Sequence, residues 1–187
     1  MKVLFILGES GSGKTTLEKY LVEHYGFRTF QKYSSRPPRD DDSWYEYKTA
    51  HEIADMYISW EIQECIKFDG NLYGMKIPDD AKPNDRFVAI MVPSGYHQFI
   101  DMGIEDTNDV YSIYMTNKYC EEWMYNRGDS QKDVQSRVAL NKKLNRFSGA
   151  FYIIDWSRWS DATIELLKLM YPKLFLWLEQ NNEYVNT

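Results

Sequence analysis

Apolar and polar positions change rhythm along this 187-residue chain, and the changes separate strands from helices. Lys2–Leu7 (KVLFIL) is a short β-rich apolar run and predicts a buried parallel strand. After a Gly/Ser-rich turn, Lys14–Tyr25 has helical spacing, with Leu17, Tyr20, Leu21 and Tyr25 on one face and Gly26 as its stop. Phe27–Ser34 predicts a second strand, and Ser35–Ser43 (SRPPRDDDS) is a polar, proline-broken loop. Tyr45–Lys48 and Tyr57–Phe68 are partly extended, with a short helix over Ala50–Met56 between them. Lys76–Asp85, carrying Pro78 and Pro83, reads as a connector. Strands follow at Arg86–Val92, Val110–Met115 and Phe151–Ile154, alternating with helices near Ser94–Met102, Asn117–Tyr125, Asp133–Phe147 and Asp161–Gln180. A polar tail begins at Asn181. Alternating strands and helices imply a doubly wound α/β fold, with a central parallel β-sheet and helices on both faces.

The length suits one core with small inserted lobes. Apolar residues at 43% and charged residues at 27% are ordinary for a globular chain, whereas 16% aromatic content is high. A net charge of −6 argues against a nucleic-acid or anionic-membrane binder, although a few convergent Arg and Lys residues can still form a local positive cleft. Cys65 and Cys120 are too few and too far apart for a metal site or a disulfide framework. The five-residue apolar start runs into glycines and matches neither a signal peptide nor a membrane span, so the cytoplasm is the expected compartment.

Gly8–Thr15 (GESGSGKT) fits G-x-x-x-x-G-K-[ST] and lies between an apolar strand and a helix, as that motif requires. Glycines let several backbone N–H groups point at one anion, and the helix starting near Lys14 adds its positive dipole end. This predicts an ATP phosphate cradle built from Glu9, Ser10, Gly11, Ser12, Gly13, Lys14, Thr15 and Thr16. Lys14 would bridge the β- and γ-phosphates, and the Thr15 hydroxyl would join the shell of a Mg²⁺ ion arriving with ATP.

A phosphate cradle alone specifies no reaction. Arg36 and Arg39 stand three apart on a proline-stiffened loop, a spacing suited to forked contacts with a monophosphate. Tyr45 and Tyr73 can donate hydroxyls to the same group, and Glu64 can accept from a base edge. In order, the chain shows Ser34-Ser35-Arg36-Pro37-Pro38-Arg39, Tyr45-Glu46-Tyr47, Glu64, Gly70-Asn71-Leu72-Tyr73-Gly74 and Arg127-Gly128. From Val3 to Asp155 this series resembles the guanylate kinase family. The resemblance implies a P-loop kinase fold with a core over 1–34 and 76–187, an NMP-binding lobe over 35–75 and a lid over 127–137. It implies catalytic roles for Lys14, Arg39, Arg127 and Arg137, and a weak nucleotide contact at Asp155. It further implies an acceptor site of Arg36, Arg39, Tyr45, Glu64, Tyr73 and Met75, with GMP or dGMP as substrate and a monomer or homodimer as the working unit.

The pattern departs from that family at two places. An acidic pair expected at the end of the third core strand is replaced by Ile90 and Val92, and a small hydroxyl residue that would read guanine O6 is replaced by Met75. A thioether cannot donate that hydrogen bond. Three other readings therefore stand beside GMP phosphorylation: another or modified deoxynucleoside monophosphate as acceptor, a sugar phosphate, or a catalytically weak guanylate-kinase-like binding module.

Overall fold

The computed structural model describes residues 1–38, 44–144, 152–155, 172 and 176. Nine strands and six helices run in the order β1 (Lys2–Gly8), α1 (Lys14–Tyr25), β2 (Arg28–Thr29), β3 (Gln31–Ser34), β4 (Tyr45–Tyr47), α2 (Ala50–Ile58), β5 (Glu64–Phe68), β6 (Asn71–Lys76), β7 (Arg86–Met91), α3 (Pro93–Asp101), α4 (Ile104–Thr107), β8 (Asp109–Thr116), α5 (Cys120–Asn126), α6 (Gln131–Leu144) and β9 (Tyr152–Asp155) among the described residues.

The first sheet is parallel throughout, in the order β2-β7-β1-β8-β9. Its central strand buries both faces, which explains the unbroken apolar run at Val3–Leu7. Leu4 and Ile6 pack on Leu17, Leu21 and Tyr25 of α1, while Val3, Phe5 and Leu7 pack on the other face against Tyr96 and Phe99 of α3 and Ile104 of α4. Helices thus cover both faces, as the alternation predicts.

The expected strand over Phe27–Ser34 is two strands in different sheets. Phe30, only 1% exposed, ends the first by turning into an aromatic cluster with Phe5, Phe87 and Phe99. The chain leaves that cluster as β3 and joins a second sheet, ordered β4-β3-β6-β5. One face of this sheet meets α2: Tyr33 packs with Ile53, Met56 and Ile62, and Cys65 and Leu72 adjoin them. Helix α2 starts at a capping box in which Thr49 and Glu52 satisfy each other's backbone N–H groups. It extends through Ile58, so Tyr57 and Ile58 are helical rather than extended. The helix expected over 161–180 lies outside the described residues apart from Pro172 and Leu176.

Candidate active site

The phosphate loop follows from how β1 ends. Gly8 has φ 136°, and a Cβ there would stand 2.0 Å from the Met115 carbonyl oxygen on β8, so this turn admits no side chain. The loop then enters α1 through Gly13, a left-handed N-cap. Lys14 folds back over it, donating to the carbonyls of Gly8 at 3.0 Å and Glu9 at 2.5 Å. Burial, reinforced by Arg127 and Arg137, lowers the Lys14 ammonium to about pKa 8, against the opposing pull of Cys120 and Glu9. Helix α6 is fastened to the loop by Asn141, whose side chain accepts from the Ser10 N–H at 2.9 Å and donates to the Ser10 carbonyl at 3.2 Å. The Glu9 carboxylate turns away, accepting from Thr116 at 3.0 Å and from the Cys120 thiol at 3.4 Å.

The second sheet supplies the facing wall. Register places Tyr45, Lys32, Met75 and Glu64 in one row across four strands, with Ser34, Tyr73 and Ile66 in a row two residues along on the same face. Arg36, 9% exposed, has its guanidinium 5.4 Å from the centre of the Tyr45 ring, and the Tyr45 and Tyr73 rings stand 6.5 Å apart. Glu64 is 1% exposed and so close to α3 that a Cβ on Gly95 would lie 2.3 Å from its Oε1. Its Oε2 has no hydrogen-bond partner among the described residues. Burial pushes this carboxyl up to about 8.

Both walls open on one cleft, lined by Ser10, Lys14 and Thr15 on the loop side and by Arg36, Tyr45, Glu64, Tyr73 and Met75 on the other. Ile90 and Val92 also line it, so no carboxylate stands at those strand-end positions. Arg127 and Arg137 reach both this cleft and a neighbouring hollow lined by Ser10–Thr16, Tyr20 and Trp123. Arg127 pairs with Asp129 at 2.5 Å. Arg137 lies 3.5 Å from Asp69 at the β5–β6 hairpin tip, and Ser136 donates to the same carboxylate at 2.9 Å. Among the described residues, five cations (Lys14, Lys32, Arg36, Arg127 and Arg137) and two carboxylates (Glu18 and Glu64) border the cleft, so this part of its lining is cationic within a chain of net charge −6. Arg39 lies outside the described residues, as does the side chain of Asp155, whose backbone pairs with Thr116 on β8.

No family model matches the chain, and no curated protein matches it. Among solved structures, guanylate kinase from Anaplasma phagocytophilum superposes with a TM-score of 0.62 at 16% sequence identity. The match covers 96% of this chain and 87% of that one. The fold is a guanylate-kinase-like P-loop fold. At this identity the likeness shows the architecture. Among the described residues no helix is long and apolar enough to cross a membrane, and no group of three or more His, Cys, Asp or Glu is placed to hold a metal ion.

Two charged cleft residues among those described escape the motif-based reading: Glu18 on α1 and Lys32 on β3, each 2% exposed and joined to each other by a short ion pair. Glu18 stands four residues after Lys14, on the face that carries Leu17 and Leu21. Lys32 stands two residues before Ser34, hence on the same face of its strand. A charged residue at each of these otherwise inward positions was the available sign.

Proposed function

We propose that this chain is a nucleoside monophosphate kinase that transfers the γ-phosphoryl group of ATP to GMP or dGMP. The observation that carries the reading is the shared cleft, in which Lys14 and Thr15 face Arg36, Tyr45, Glu64 and Tyr73. One wall suits a polyphosphate and the other a phosphate joined to a base. An acceptor phosphate oxygen would attack the γ-phosphorus in line. The new P–O bond forms as the bond to the β–γ bridging oxygen breaks, leaving ADP. No covalent intermediate is required, so rate depends on positioning and on charge stabilisation.

In this reading Lys14 holds the β- and γ-phosphates, and Arg127 and Arg137 neutralise charge spread over the migrating group. Arg36 and Arg39 hold the acceptor phosphate, assisted by the Tyr45 and Tyr73 hydroxyls, while Glu64 and Met75 border the base. The loop backbone from Glu9 to Thr16 cradles the donor, with Asp155 near the adenine. Thr15 lines the cleft beside Lys14, which fits a Mg²⁺ ion that arrives on ATP and takes one protein hydroxyl, its other contacts being phosphate oxygens and water. Such an ion would offset charge on the phosphates.

A second reading keeps the donor half and changes the base. Met75, 5% exposed in the row beside Glu64, offers no donor to guanine O6. That observation favours another or modified deoxynucleoside monophosphate.

The test is coupled ADP release measured across ribo- and deoxynucleoside monophosphates, with Lys14→Ala as control. Turnover should require an acceptor and fall at least about a hundredfold in the control. ATP consumption that is indifferent to every acceptor would sink the kinase reading. Turnover with another base and none with GMP or dGMP would select the second.

A further inference from the structure

The Glu18–Lys32 pair lies where the two halves of the cleft meet, and the roles proposed above leave it unused. Lys32 occupies the row Tyr45–Lys32–Met75–Glu64 that floors the acceptor side. Its ammonium is 5.9 Å from the centre of the Tyr45 ring, the same ring that the Arg36 guanidinium approaches at 5.4 Å. Both cations lie against the same ring and line the same cleft. Glu18 comes from the other half, one helical turn beyond Thr15, and its carboxylate also takes the backbone N–H of Ile90 at the end of β7. The pair therefore ties the phosphate-loop helix, the end of a core strand and the acceptor sheet together at one point.

A buried ion pair is a poor device for stability alone, because apolar side chains of similar size usually hold a fold as well or better. Its place on the cleft wall gives it a different use. The geometry points to Lys32 as a third cation for the acceptor's phosphate, with Glu18 as the positioning residue that aims it. Lys32 has three N–H donors. Glu18 is its hydrogen-bond partner among the described residues, which leaves donors for a ligand oxygen. An arriving phosphate would share Lys32 with Glu18, and Arg36 would balance the added charge. The anion's identity as a nucleoside monophosphate rests on the kinase reading above, whereas the cation's place in the cleft does not.

The test compares the wild-type chain with Lys32→Met, Lys32→Arg and the double variant Glu18→Leu/Lys32→Met. Each is titrated calorimetrically with ATP–Mg²⁺ and with GMP, dGMP, AMP, CMP, UMP and TMP, and each is melted and assayed for ADP release. Lys32→Met alone strands a buried carboxylate and can unfold; the double variant removes that charge, gives up the bond from the Ile90 N–H, and should stay folded with a melting temperature above that of Lys32→Met. Monophosphate binding should weaken about tenfold or more in every folded variant that lacks the cation, while ATP–Mg²⁺ affinity stays within about twofold. Lys32→Arg should recover part of the loss.

A double variant that binds the monophosphate as tightly as wild type would make the pair a structural tie and overturn the inference. So would an equal loss of ATP–Mg²⁺ affinity. Wild-type protein that binds ATP–Mg²⁺ and none of the six monophosphates overturns both this inference and the kinase reading. Monophosphate binding that depends on Lys32 without turnover overturns the kinase reading alone.

Discussion

At the scale of single residues, Glu64 connects stability to substrate choice. Its carboxyl titrates near 8 in the folded chain against an ordinary 4.5, because burial disfavours the anion and no hydrogen bond to Oε2 offsets it among the described residues. The folded chain therefore keeps a proton that the unfolded chain releases. This contribution to stability is fully present below pH 4.5 and is lost as pH rises through about 8, with a total on the order of a few kcal/mol. Glu64→Gln has no such proton, so the melting temperature of the wild type should decline relative to that variant between about pH 5 and 9. Parallel melting curves across that range would contradict the assignment. The same proton bears on the base. A guanine edge offers two donors and selects ionised Glu64, so GMP binding should release a proton and tighten as pH rises toward 8. A cytosine or adenine edge offers one acceptor and one donor and selects the neutral acid. Glu64→Gln, which carries one donor and one acceptor, should then keep CMP or AMP binding and lose GMP. Calorimetry at two pH values with both proteins separates the cases.

At the scale of elements, α6 is held at both ends of its cleft-facing stretch, by Asn141 on the phosphate loop and by Ser136 and Arg137 on the acceptor hairpin. Asn141→Ala removes two hydrogen bonds to the Ser10 backbone, each typically worth about 1 kcal/mol, so KM for ATP should rise about tenfold. KM for the monophosphate should stay within about twofold, because Asn141 is absent from the acceptor wall. Steady-state kinetics with each substrate varied in turn checks this. The elements themselves were largely legible in the sequence. The apolar run at Val3–Leu7, the helical spacing at Lys14–Tyr25 and the proline connector near Pro78 and Pro83 each depend on neighbours in the chain, and all have counterparts in the structure. The break at Phe30 was not legible, since it arises from an aromatic cluster assembled from four distant segments. The site divides in the same way. Glycine spacing announces the phosphate loop, and the series from Arg36 to Tyr73 announces the facing wall. Glu18 and Lys32 form no motif, and only the pairing of Lys32 with Tyr45 and Met75, together with α1 lying against it, reveals their common position. The proximity of Asp69 to Arg137 likewise depends on a tertiary contact across 68 positions of chain.

At the scale of the whole molecule, the fold is two sheets sharing a cleft, with α6 in contact with the phosphate loop and with the acceptor hairpin. A ligand held by one sheet changes the conditions for a ligand held by the other. Arg127 and Arg137 line both the shared cleft and the hollow beside the phosphate loop, so a polyphosphate on the loop can help draw them over the cleft. Repulsion between donor and acceptor phosphates opposes this, and the cationic lining must outweigh it for both to bind together. Positive coupling between the substrates should follow, of about fivefold or more, and equal in either direction because binding free energies are reciprocal. The contact between Asp69 and the Ser136–Arg137 turn joins the acceptor hairpin to α6 directly, and so provides a physical link for that coupling. Asp69→Ala should leave each ligand's separate affinity within about twofold of wild type and bring the coupling close to one. The measurement is a calorimetric titration of the monophosphate with and without a non-hydrolysable ATP analogue and Mg²⁺, repeated in the variant. Coupling that survives Asp69→Ala unchanged would place the link elsewhere in the cleft, whereas its loss alongside intact separate affinities would make the hairpin-to-α6 contact the part that lets the two halves of the cleft respond to each other.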